Sequence, residues 1–71
     1  MKTVYVALLD EGTDCWRPVQ AEHMSGDVYR LCGPKHEDEA WEFQPGELVR
    51  CKPRRFSGGA EEMAAFEKVS L

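Results

Sequence analysis

Apolar and polar residues alternate along much of this chain, and a period of two marks a half-buried β-strand. In Thr3–Leu9, Val4, Val6 and Leu8 fall on one face, and Tyr5, Ala7 and Leu9 on the other. Asp10–Asp14 then reads as a loop, since Asp, Gly and Thr supply turn geometry and local hydrogen bonds. Arg17–Met24 predicts a second strand, with Val19 and Ala21 opposed to Gln20 and Glu22. Ser25-Gly26-Asp27 is a hairpin turn with a glycine for positive φ. Val28–Cys32 follows as a third strand, with Tyr29 and Leu31 inward and Arg30 outward.

Gly33–Ala40 is a charged connection, and Pro34 ends the strand before it. In Trp41-Glu42-Phe43 the two aromatics share a face. Gln44-Pro45-Gly46-Glu47 suits a type II turn, with proline and then glycine at its centre. Leu48–Pro53 predicts a fourth strand, with Val49 and Cys51 inward and Arg50 and Lys52 outward.

Ala60–Val69 is the ambiguous segment. Its composition favours a helix, with Met63, Phe66 and Val69 at helical spacing and Ser57 or a glycine near the cap. As a strand it places Ala64 and Phe66 inward. Topology favours the strand, because four short strands leave exposed edges and a fifth running back to the first closes the sheet.

The chain also resembles a family of small uncharacterised bacterial proteins. The resemblance rests on Leu8-Leu9-Asp10-Glu11-Gly12-Thr13-Asp14, on Trp16-Arg17-Pro18-Val19, on Trp41 through Cys51, and on Glu67-Lys68-Val69. It covers nearly the whole length. It implies a short SH3-like barrel whose last segment is a strand, and it carries no activity. Met63-Ala64-Ala65-Phe66 departs from the β-branched residues of that last strand. The expected fold is a small five-stranded antiparallel SH3-like barrel; the alternative is a four-stranded sheet with a C-terminal helix.

Seventy-one residues suit one small domain with a thin core, and Ile is absent. The large aromatics therefore carry much of the packing. A net charge of −4 weighs against non-specific binding to nucleic acid or membrane. No apolar run approaches the roughly 20 residues of a membrane span. The first residues, one lysine before an alternating run and then acids, do not read as a secretory signal. Cys15, Cys32 and Cys51 are an odd number without close spacing, which fits a reduced, cytoplasmic chain. Cys15, His23, Cys32, His36 and Cys51 lack the close ligand pairs of structural zinc sites, so no metal or other cofactor is expected. Asp10, Glu11 and Asp14 are carboxylates without an evident enclosing wall, and no nucleophile–base order stands out, so the chain reads as non-enzymatic.

The expected function is therefore a binding or adaptor module for a protein or peptide. Its candidate surface joins Glu11, Asp14, Trp16 and Arg17 to Trp41 and Phe43. The tryptophans would supply area, Arg17 a fork for a carboxylate, and the acids a lip for a basic group. The competing use of both tryptophans is core packing. Two rival functions are a nucleic-acid binder using Arg50, Lys52, Arg54 and Arg55, and a subunit that self-associates through open edges. Cross-strand pairing with glutamates is the structural explanation of that basic run.

Overall fold

A computed structural model describes residues 1–9, 15–33, 38–56 and 58–69. It contains five strands and no helix among those residues: β1 (Lys2–Ala7), β2 (Trp16–Ser25), β3 (Val28–Leu31), β4 (Leu48–Arg55) and β5 (Glu61–Lys68). Neighbours in sequence are neighbours in the sheet, and every consecutive pair is antiparallel. The ring closes between β1 and β5, with Tyr5 opposite Ala64. That closing pair is parallel, as an odd number of up-and-down strands requires. The helix alternative for the last segment is thereby removed.

The turns follow their residues. Gly26 takes φ 51° while Asp27 stays negative, the sign pattern of a II′ hairpin turn. Gly46 takes φ 91° behind Pro45, and the Glu47 N–H donates to the Gln44 carbonyl at 3.1 Å, as a type II turn demands.

Two strand prolines locate where the ladder is one-sided. Near Pro18, β2 pairs with β1 alone, because β3 begins its pairing at Ala21. The Gln20 carbonyl accepts from Cys32 on the side away from β1. Pro18, two residues earlier, therefore turns its donorless nitrogen toward that same open side. Pro53 repeats the device on β4. The Cys51 N–H reaches the Asp27 carbonyl at 2.8 Å, and Pro53 follows at the next position of that parity. Both open flanks are thus blunted by a missing donor.

The interior is filled from every strand: Val4 and Val6, Val19 and Ala21, Tyr29 and Leu31, Val49 and Cys51, and Ala65. Trp41 and Phe43 join this core. They are brought in because residues 40–42 return alongside the end of β1. Leu9 N–H donates to Ala40 at 2.7 Å, and Glu42 N–H donates to Ala7 at 2.9 Å.

One expected face is corrected. Phe66 points outward and is 43% exposed, whereas Ala65 is the inward residue. Arg50 pairs with Glu67 and Cys51 with Ala65, so Phe66 is an extra residue without a partner on β4. Such a bulge re-aims its side chain. The cause is room: a barrel already holding Tyr29, Trp41 and Phe43 accepts a methyl at this position rather than a phenyl ring. Ala64 is buried as well, on the outer side, between its register partners Tyr5 and Lys52.

Candidate functional site

The outer face of β1, β4 and the start of β2 carries a second aromatic cluster. Strand alternation turns Tyr5 and Trp16 outward while Val4, Val6 and Val19 turn in. Phe56, just beyond β4, packs between them. Its ring centroid lies 4.9 Å from that of Tyr5 and 5.4 Å from that of Trp16, edge to face with the latter. All three rings are half-buried. The Arg54 guanidinium lies over Trp16, 4.8 Å from the ring centroid, and 5.9 Å from that of Phe56. Lys52, two residues back on the same face, holds its Nζ 4.7 Å from the centroid of Phe66.

Charge sorts the basic strand. Arg50 is neutralised, with Glu67 at 3.1 Å and Asp27 at 3.7 Å. Cross-strand pairing therefore accounts for Arg50. It does not account for Lys52, Arg54 or Arg55, which take part in none of the ion pairs among the described residues. Glu62 stands in register with Arg54, and Glu61 with Arg55, without closing a salt bridge. Stacking on a ring leaves the guanidinium edges free to donate. The arrangement offers two cations, each backed by an aromatic ring, with unspent donors.

The expected surface divides differently. Trp41 and Phe43 are 3% and 8% exposed and offer a partner almost no area. The Trp41 indole N–H donates to Glu39 Oε1 at 3.0 Å, and the same oxygen lies 3.6 Å from Arg17 Nε. Arg17 and Trp41 also line a half-open cleft of about 240 Å³, with Val19, Gln20, Cys32 and Gly33. Trp16 looks the other way, toward Arg54. Asp10, Glu11 and Asp14 lie outside the described residues, as do His36 and Ser57. Tyr5, Phe56 and Phe66 belong to the outer cluster although sequence reasoning did not select them. For Tyr5 the signal was parity, since it lies opposite Val4 and Val6; Phe56 lies just beyond β4, and alternation carries no signal for Phe66, which a bulge turns outward.

No group of three or more His, Cys, Asp or Glu among the described residues is arranged to hold a metal ion. The Cys51 thiol is pushed up to about 11, first by burial and then by the Asp27 charge, so it stays protonated at neutral pH. No helix among the described residues is long and apolar enough to cross a membrane. Comparison with family models, curated proteins and solved structures found no match, and nothing in it bears on the resemblance drawn from the sequence.

Proposed function

We propose that this chain is a non-enzymatic interaction module of the cytoplasm that takes a protein or peptide segment on the outer face around Trp16, Phe56 and Arg54. The observation that carries the reading is the Arg54 guanidinium held over the Trp16 ring with no carboxylate partner among the described residues. A side chain used purely for charge balance would sit on Glu62, its register partner. Here the ring fixes the fork in advance, which lowers the ordering cost of binding.

The rival functions draw less support. A nucleic-acid binder stacks bases on free aromatic faces, but Arg54 lies over Trp16 and Lys52 over Phe66. Self-association through strand edges meets Pro18 and Pro53 on the one-sided flanks.

The test is selection of random displayed peptides on the folded domain, followed by amide shift mapping of the selected sequences. The expected shifts fall on Tyr5, Trp16, Lys52, Arg54 and Phe56, and Arg54→Gln weakens the selected peptides. Shifts confined to the Arg17–Cys32 cleft, or selection that yields no binder, would overturn the reading.

A further inference from the structure

We infer that Arg54 and Lys52 form a two-point receptor for carboxylates at alternate positions of an extended acidic peptide, an inference that rests on the interaction-module reading above. The two cations are residues i and i+2 of one strand and share its outer face. Their Cα atoms are therefore about 7 Å apart, from a rise of roughly 3.4 Å per residue. An extended peptide presents alternate side chains on one face at that same repeat. Glutamates or aspartates two residues apart would meet the two cations in step. Contiguous acids would send every second carboxylate away from them.

Each cation is held by an aromatic ring rather than by an acid. Lys52 rests on Phe66 and Arg54 on Trp16. Neither cation is used by an ion pair among the described residues, so the Arg54 guanidinium can donate two parallel hydrogen bonds to one carboxylate. Arg50, the next cation of the row, is occupied by Glu67 and Asp27, which ends the receptor on that side. Phosphates along a single strand of nucleic acid repeat at a comparable distance. They bring bases that need free aromatic faces, and here the cations lie over Trp16 and Phe66. Glu62, opposite Arg54, is the acidic group a ligand carboxylate approaches.

The experiment titrates the domain with a short peptide of alternating glutamate and threonine. Its isomer with the glutamates in one block and an oligothymidylate of matched length serve as comparisons. The readout is the Trp16 indole resonance together with the Lys52 and Arg54 amides. The alternating peptide should bind about tenfold more tightly than the block isomer, the scale of one charge-assisted contact. Arg54→Gln and Lys52→Gln should each remove that preference, with a wild-type circular dichroism spectrum confirming the fold. Arg50→Gln should leave it, and Glu62→Gln should strengthen binding, an effect a purely structural Arg54 would not produce. Equal binding of the two isomers, no binding of either, or tighter binding of the oligothymidylate would overturn the inference. If non-acidic selected peptides still shift this face, the acid receptor fails while the module stands. If no peptide shifts it, both fail.

Discussion

Replacing Trp41 by alanine should cost this domain several kcal/mol of stability, whereas replacing Trp16 should cost far less. Trp41 is 3% exposed within the core. Burying a tryptophan removes roughly 150–250 Å² from water. At about 25 cal/mol per Å² that is some 4–6 kcal/mol, and measured truncations of buried aromatics run about 3–5 kcal/mol. A 71-residue domain is stable by about 4–11 kcal/mol in all, at roughly 0.05–0.15 kcal/mol per residue. Trp41→Ala therefore removes from about a quarter to all of the total, and Glu39 loses its indole donor besides. Trp16 is half-buried, and Phe56 and Arg54 can settle onto each other once it is gone. About 1–2 kcal/mol is expected there, in line with partial burial. Urea unfolding followed by far-ultraviolet circular dichroism reads both without relying on the removed fluorophore. A loss at Trp16 equal to that at Trp41, or a loss at Trp41 under about 1 kcal/mol, would refute the assignment of one tryptophan to the core and the other to the outer face.

Other perturbations test separate parts of the structure. Cys51, with its thiol raised to about 11, should resist alkylation in the folded state and react only on unfolding. Because its proton is held more tightly when folded, stability should fall as pH rises from 9 toward 11, and Cys51→Ala should flatten that limb of a urea-midpoint profile. Glu47 is held below its ordinary 4.5, first by the Gln44 backbone N–H and then by Lys68 at 2.7 Å. Its contribution is present above 4.5 and lost as pH falls through the lower folded value, so Glu47→Gln should lose less stability on acidification than wild type; parallel profiles would contradict this. Phe66→Ser should cost about 1 kcal/mol or less, and Ala65→Leu about 1–3 kcal/mol through overpacking, by thermal melting. The reverse order would return Phe66 to the interior.

The strands that alternate cleanly were legible. Val19, Ala21, Tyr29 and Leu31 are inward as their spacing requires, and the Gly26 and Gly46 turns take the positive φ their residues invite. The last segment was legible only through topology. Ala60–Val69 has helical composition, and its strand form comes from long-range pairing with β4 and β1 that local propensity does not contain. Its face was misread because a one-residue bulge at Phe66 reverses parity, and a bulge has no signal in alternation. The site suffered in the same way. Trp16 and Trp41 both stand beside charged residues in sequence, yet the return of residues 40–42 along β1 buries one and leaves the other outside. The stack of Arg54 on Trp16 joins residues from two distant strands, and only the closed ring brings them together.

The ring and its outer face meet at Trp16, so the most direct measurement is a proton NOE spectrum of the aromatic rings. The account predicts cross-peaks from Trp16 to the Arg54 side chain and the Phe56 ring, and from Tyr5 to Ala64 across the parallel seam. Cross-peaks from Trp16 to Trp41 or to the buried valines, with none to Arg54, would contradict it.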